Sequence, residues 1–323
     1  MKVLVTGASG LLGREVAGQL VRRGYDVTTF QRRPSGVAGV TDRCGSLTED
    51  SAVRGAVQGA EAVIHLAAKV SFTGRPAEFD EVNVQGTRRL LLAAREAGVR
   101  DLVFVSSPSV ANSGAAIAGL GAEPADPEHA HGDYSRTKAQ AELLALAADA
   151  PDSRVAAVRP HVVWGPGDTQ LVERVLARAA RHRLPLLDAG AALIDTTYVE
   201  NAAAAIVAAL ARMEHIHGRA LVVTNGEPRP VGELLAGICA AGGVPAPSWS
   251  VPGRVARMAG SAVEKVWLRL GKQDEPPMTR FLAEQLSTAH WFDQRETGKL
   301  LEWTPAVSID EGLARLAAYY GSR

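Results

Sequence analysis

A tyrosine and a lysine four residues apart, in Tyr134-Ser135-Arg136-Thr137-Lys138, are the side chains through which this chain most plainly offers chemistry. On a helix, positions i and i+4 are neighbours, so the phenol and the ammonium share one face. A free tyrosine ionises near pH ~10. A cation about 4 Å away in a partly shielded site contributes ~4 kcal/mol, the right size to bring that value toward neutrality. A tyrosine so tuned gives a proton to a carbonyl oxygen or takes one from an alcohol. Ser107, in Val105-Ser106-Ser107-Pro108-Ser109-Val110, brings a hydroxyl to hydrogen-bond the same oxygen. The pair alone is a weak signal, and its weight depends on the elements that position it.

Those elements begin at the N-terminus. Lys2–Thr6 is a short apolar run that ends at Gly7-Ala8-Ser9-Gly10-Leu11-Leu12-Gly13, followed by an amphipathic stretch with Leu12, Val16, Leu20 and Val21 on one side, stopped by Gly24. Strand, glycine loop and helix in this order form half of a dinucleotide-binding unit. The glycines let the backbone approach a pyrophosphate, and the helix N-terminus offers free N–H groups. Gly7, Ser9, Gly10, Leu11, Leu12 and Gly13 are therefore candidate cofactor contacts. The alternative, a turn that merely needs glycines, fits less well with a position directly after the first strand. The second strand, Tyr25–Phe30, runs into Gln31-Arg32-Arg33 with no acid. An acid there would grip a ribose 2′-hydroxyl, whereas arginine accommodates a 2′-phosphate. Arg32 and Arg33 point to NADP(H) in preference to NAD(H).

The alternation continues through a fourth strand, Ala62–Leu66, a long amphipathic helix, Pro76–Ala97, and a fifth strand, Leu102–Ser106. Ser107 then falls at a strand's carboxyl end, where open α/β sheets bind ligands. Tyr134–Ala148 has helical periodicity, and Arg154–Val158 makes a sixth strand. This order predicts an α/β fold, a Rossmann-type doubly wound parallel sheet with right-handed crossovers. Residues 1–165 read as the NADP-binding domain. Residues 166–323 read as a smaller, mostly helical substrate lobe, with segments near 195–225 returning to the sheet: Asp195–Val199 extended, Asn201–Arg212 helical, Leu221–Thr224 a last strand.

Composition narrows the function classes. The formal net charge of the 323 residues is zero, which gives no reason to expect nucleic acid or an anionic membrane as a general partner. Two cysteines, Cys44 and Cys239, form neither a metal-ligand spacing nor a disulfide framework, which suits a reducing cytoplasm. Met1-Lys2 leads straight into the first strand, leaving no room for a signal peptide, and no run reads as a transmembrane segment. His129/His131 and His215/His217 lack a third ligand at a helical interval, so no metal is expected. His65 and His161 fall near the expected pocket, with contact and structural roles both open.

With the glycine loop, Ser107 and the Tyr134/Lys138 pair in register, the chain resembles an extended short-chain dehydrogenase/reductase along essentially its full length. Thr6-Gly7-x-x-Gly10-x-x-Gly13, His65-Leu66-Ala67-Ala68, Asn83, Ser107, Tyr134-x-x-x-Lys138 and Arg159-Pro160 carry the resemblance. It implies catalytic roles for Ser107, Tyr134 and Lys138, with Lys138 also holding the nicotinamide ribose. It further implies cofactor contacts from Leu66, Ala67, Ala68, Asn83, Pro160 and Val162. One departure is visible: the family usually has Gly-Asp-Leu after the third strand, and Gly45-Ser46-Leu47 stands here.

Within that superfamily, Leu193-Ile194-Asp195-Thr196-Thr197-Tyr198-Val199 lacks the arginine that sugar-nucleotide enzymes tend to place before this segment. It is similar to the 3-beta-hydroxysteroid dehydrogenase branch, and within it to the reductases of bacterial long-chain olefin and beta-lactone pathways. Ser107-Pro108-Ser109-Val110, Trp164-Gly165-Pro166-Gly167-Asp168, Thr224-Asn225-Gly226-Glu227-Pro228 and Pro277-Met278-Thr279-Arg280-Phe281-Leu282 carry that likeness. The resemblance implies NADPH-dependent reduction of a hydrophobic 2-alkyl-3-oxoalkanoic acid. The alternatives are oxidation of a 3-beta-hydroxysteroid or sterol, and NADPH sensing without catalysis; sensors of this fold characteristically lose the Tyr/Lys pair. Val255, Met258, Ala262, Val263, Val266, Trp267 and Leu270 recur at helical spacing, with Arg254, Arg257, Lys265, Arg269 and Lys272 on the other side. Such a helix most often faces a core with its charged side solvated; otherwise it lies on a membrane surface or caps a lipid-binding channel. The helices Pro76–Ala97 and Tyr134–Ala148 would suit a homodimer through a four-helix interface.

Overall fold

The computed structural model describes residues 1–71, 74–111, 114–269 and 279–322. Seven strands, β1 (Lys2–Thr6), β2 (Asp26–Gln31), β3 (Thr41–Cys44), β4 (Ala62–His65), β5 (Asp101–Val105), β6 (Arg154–Pro160) and β7 (Ala220–Val223), form one sheet. Its order is β7-β6-β5-β4-β1-β2-β3 and every pairing is parallel. The order reverses at β1, which is the switch point where such sheets bind ligands beyond their carboxyl ends.

Side chains that alternate along each strand build two cores. Val3, Val5 and Ile64 face one way, where α1 (Leu11–Arg22) packs with the alanine-rich α5 (Val199–Ala211). Leu4, Val63 and Phe104 face the other, covered by α2 (Asp50–Val57), α3 (Gly86–Glu96) and α4 (Gly132–Ala147). Strands buried on both faces appear in sequence as continuous apolar runs, which is why the sheet was readable.

The segment expected as one helix over Pro76–Ala97 is not uniform. A short helix, Pro76–Phe79, passes through a wider π turn, Asp80–Gln85, before α3 begins. The wider turn carries Asn83, which is 1 % exposed. Single π turns inside helices recur at functional sites because they re-aim one side chain without ending the helix.

The remaining chain forms the smaller layer. A four-stranded sheet joins Arg229–Pro230, Leu193–Ile194, His290–Phe292 and Ile117–Leu120 in that order. A third core around Trp164, Tyr198, Ile238, Ile309 and Leu316 backs it. The segment Leu171–His182 is helical over Val172–Ala179, and His182 adopts a positive φ of 53° beyond the helix end. Leu270, Lys272, Pro277 and Met278, singled out in the sequence, lie outside the described residues.

Candidate active site

The glycine loop takes its shape from contacts that leave no room for side chains at two of its three glycines. Gly7 has φ 81°, and a Cβ there would fall 2.8 Å from the backbone N of Ala67. A Cβ on Gly13 would fall 2.3 Å from the carbonyl oxygen of Gly7. Gly10 differs: its nearest neighbour would be 3.5 Å away, and its outer face is exposed. Gly10 is also the N-cap of α1, with no side chain capping it and no acid in the first turn. The first and third glycines thus fix the loop, and the second leaves open backbone where a pyrophosphate would lie. The residues present fit a dinucleotide. Ser9, Leu11 and Leu12 are half-buried around the same turn.

Beyond β2, Arg32 and Arg33 are exposed. Asp42 of β3 shapes the turn that carries them, accepting bonds from Thr29 Oγ1 (2.5 Å), Gln31 Nε2 (2.9 Å) and Ser35 N (3.0 Å). Despite the cost of partial burial, the bonds from Thr29 and Ser35 hold its carboxyl below the usual carboxylate range. Asp42 has no motif to mark it and went unseen in the sequence.

At the end of β4, His65 closes a chain of bonds between elements. Its Nδ1 lies 2.7 Å from Thr6 Oγ1 and its Nε2 3.1 Å from Thr87 Oγ1. Thr6 Oγ1 also accepts the N–H of Ala67, and Thr87 donates to the carbonyl of Asn83. With Thr6 donating to Nδ1, the ring is the Nε2–H tautomer. Burial, with Lys138 nearby, pushes its pKa down to about 3. His65 is therefore a neutral structural link, which answers the question the sequence left open. Leu66, Ala67 and Ala68 follow, half-buried beside the glycine loop.

Asn83 is the joint between this edge and α4. It accepts from Lys69 N at 2.7 Å, and donates to Lys69 O at 3.2 Å and to Thr137 Oγ1 at 3.0 Å. Thr137 donates in turn to Asp133 O. Lys69 and Thr137 were not singled out in the sequence, where a backbone partner leaves no pattern.

Ser107, Tyr134 and Lys138 are brought to one place. Ser107, half-buried just past β5, hydrogen-bonds the Tyr134 phenol, and its Oγ lies 3.0 Å from that of Ser109. Lys138, 3 % exposed, donates to Val105 O at 2.7 Å and sits 4.1 Å from the Phe104 ring centroid. Here one expectation needs correcting. The ammonium was expected to lower the phenol's pKa. Instead burial pushes Tyr134 up to about 12, with the Ser107 bond opposing it. Burial also brings Lys138 down to about 7, with the Glu142 carboxylate opposing. Desolvation outweighs the pairing because the ammonium is turned toward the strand.

Glu142, one turn beyond Lys138, meets Arg159 of β6 in a fully buried ion pair of 2.5 and 2.9 Å, and Arg159 Nη1 also donates to Glu123 O. Pro160 and His161 are buried, and Val162 is half-buried with φ 42°. A left-handed β-branched residue is an outlier that costs ~1–3 kcal/mol unless its surroundings impose it. Here His161 N bonds Val223 O, Thr197 N bonds Val162 O, and His161 Nδ1 lies 2.6 Å from Asp195 O. His161 is thus also tied into the scaffold, its pKa lowered by burial to about 4. His129, His131 and His217 pair with Asp126, Glu284 and Asp149, and among the described residues no cluster of three or more His, Cys, Asp or Glu could hold a metal. Both cysteines are free thiols.

A dinucleotide cradle with a tyrosine hydroxyl at the carboxyl edge of a parallel sheet defines a nicotinamide-dependent oxidoreductase. The chain belongs to the NAD dependent epimerase/dehydratase family, whose model matches residues 3–224. It is 40 % identical over 326 residues to the 2-alkyl-3-oxoalkanoate reductase of Stenotrophomonas maltophilia (strain K279a), covering 98 % of this chain and 99 % of that protein. It is 28 % identical to the 3-beta-hydroxysteroid dehydrogenase of Mycolicibacterium neoaurum, covering 99 % of this chain and 91 % of that one. Among solved structures it is similar to MoeE5 in complex with UDP-glucose and NAD, at 25 % identity and a TM-score of 0.75, covering 100 % of this chain and 99 % of the other.

Proposed function

We propose that the protein reduces the 3-carbonyl of a hydrophobic 2-alkyl-3-oxoalkanoic acid to the 3-hydroxy acid, using NADPH. The observation that carries this reading is the meeting of Ser107, Tyr134 and Lys138 at the carboxyl edge of the sheet, with the Tyr134 phenol bonded to Ser107. A phenol that keeps its proton across the neutral range is poised to donate it to a carbonyl oxygen. The substrate class comes from the name of the full-length relative at 40 % identity.

In this reading residues 1–165 hold the dinucleotide and 166–323 the substrate. Gly7, Ser9, Gly10, Leu11, Leu12 and Gly13 cradle the pyrophosphate. Arg32 and Arg33 meet the 2′-phosphate. Leu66, Ala67, Ala68, Asn83, Pro160 and Val162 line the nicotinamide end. The bound dinucleotide supplies the hydride. Tyr134 gives its proton to the nascent alkoxide, Ser107 orients that oxygen, and Lys138 holds the nicotinamide ribose.

Purified protein with NADPH and a synthetic long-chain 2-alkyl-3-oxo acid should consume the cofactor, read as absorbance loss at the nicotinamide band. Tyr134→Phe should abolish turnover and retain NADPH binding. Arg32→Ala with Arg33→Ala should raise the KM for NADPH at least about ten-fold and leave that for NADH unchanged, the loss expected for one or two exposed phosphate contacts. Retained turnover in the phenylalanine variant sinks the assignment. A second reading, oxidation of a 3-beta-hydroxysteroid, is favoured by the Mycolicibacterium relative. Steroid-dependent reduction of NAD, with no keto-acid-dependent oxidation of NADPH, would establish it instead.

A further inference from the structure

Ser107 is held by one neighbour in two ways. Its Oγ accepts the backbone N–H of Ser109 at 3.3 Å and lies 3.0 Å from Ser109 Oγ. Pro108, between them, has no N–H to compete for the same oxygen. A serine hydroxyl has one hydrogen to give and two lone pairs with which to accept. The backbone bond fills one lone pair of Ser107. What fills the other decides which way its hydrogen points.

Between the two hydroxyls either oxygen could give the hydrogen, and their surroundings are unequal. Ser109 lies in the 3₁₀ turn Pro108–Ala111 and is only 8 % exposed. Among the described residues its Oγ meets no polar atom besides Ser107 Oγ. Ser107 has a second partner, the Tyr134 phenol. In one arrangement Tyr134 gives its hydrogen to Ser107, Ser107 gives its own to Ser109, and the Ser109 hydrogen is left buried without an acceptor. A buried donor without a partner is the costly outcome. In the other, Ser109 donates to Ser107 and Ser107 to the phenol oxygen, so every hydrogen between the two serines is used. The second arrangement is favoured, and it leaves the Tyr134 hydrogen uncommitted.

We propose that Ser109 is a positioning residue for the reaction: by filling the second lone pair of Ser107 it makes that hydroxyl a donor only, aimed at the phenol oxygen in the free protein and at the substrate oxygen during turnover. Ser107 then cannot take the phenol's proton, which passes to the substrate oxygen, while both serines keep theirs. A hydroxyl that receives a bond also gives a stronger one. Ser109 thus strengthens the bond to the oxygen on which negative charge develops. The proposal rests on the reading of Ser107 and Tyr134 as the pair that meets this oxygen, and not on which ketone or alcohol brings it.

Ser109→Ala, Ser107→Ala and the double variant are compared with the parent on whichever substrate the parent turns over, keto acid or steroid. Ser109→Ala should lower kcat about five-fold, the loss of one neutral hydrogen bond, with the KM for substrate and for dinucleotide unchanged. Ser109→Thr, which keeps the hydroxyl, should restore kcat. In the Ser107→Ala background, loss of the Ser109 hydroxyl should cost nothing further, because it acts through Ser107. An undiminished kcat in Ser109→Ala overturns the proposal, as does a full further loss in the double variant. So does a change confined to KM or to thermal stability, which assigns Ser109 a structural role. A neutron structure of the free parent reads the hydrogens without turnover. We expect the Ser109 deuterium between the two serine oxygens and the Ser107 deuterium directed at Tyr134 Oη; a Ser107 deuterium directed at Ser109 overturns the proposal. Deuteriums as expected in a parent inactive on both substrates support it and overturn the proposed function instead.

Discussion

Lys138 shows how a residue proposed for the site can be costly to the fold. Its ammonium is buried, and burial brings its pKa from the ordinary lysine value down to about 7. Below pH 7 the folded protein therefore carries a charge that water would have stabilised. Between pH 7 and 10.5 the unfolded chain holds the proton that the folded one has released, so stability rises with pH across that window. Lys138→Met should accordingly stabilise the protein at pH 6, by about 3–5 kcal/mol if the whole shift is recovered, and abolish turnover. The gain should shrink toward pH 10. Thermal unfolding of both proteins at pH 6, 8 and 10 checks the sign. A variant less stable than the parent at pH 6 would mean that the bonds to Val105 and Phe104 outweigh the desolvation. The spacing of Tyr134 and Lys138 made their shared face legible in the sequence. Their protonation was not legible, because depth of burial is a property of the packed helix and leaves no trace in an interval of four.

At the scale of elements, the glycine loop separates two effects that a motif merges. Gly13→Ala puts a methyl 2.3 Å from the Gly7 carbonyl and should destabilise the protein by several kcal/mol, a clash the close-packed turn cannot absorb. Gly10→Ala meets nothing nearer than 3.5 Å. It should leave the melting temperature of the free protein within about 2 °C and weaken dinucleotide binding at least about ten-fold. Calorimetry and cofactor titration on the two variants distinguish these outcomes. The alternation of strand and helix was readable because buried parallel strands are short apolar runs bounded by turns. The π turn at Asp80–Gln85 was not, since a wider turn alters the phase of a helix by less than ordinary sequence irregularity does. The orientation of Gly253–Arg269 was hidden for a different reason. Its packing side mixes Gly253, Ala256 and Gly260 with the half-buried Val263 and Trp267, while Val255, Met258 and Val266 are exposed, so the apolar recurrence in the sequence spans both sides and does not say which is covered.

Across the whole molecule, the Glu142–Arg159 pair holds α4 to the sheet beneath it and reaches the chain at Glu123 as well. Both side chains are almost fully buried. Glu142→Gln leaves the guanidinium without its counter-charge and should lower stability by about 3–5 kcal/mol, measured by urea unfolding, because an unpaired buried charge costs more than the pair contributes. Its carboxylate also favours the charged form of Lys138, so a surviving variant should show a still lower lysine pKa in its pH–rate profile. The family model ends at residue 224, which is where the parallel sheet is complete. The lobe sheet does not respect that boundary. Ile117–Leu120 lies beside His290–Phe292 in parallel register, and Gly119 accommodates the Trp291 ring where a Cβ would come within 2.8 Å. During synthesis, then, the dinucleotide cradle is laid down long before the strand that fixes the segment after Ser107 has left the ribosome.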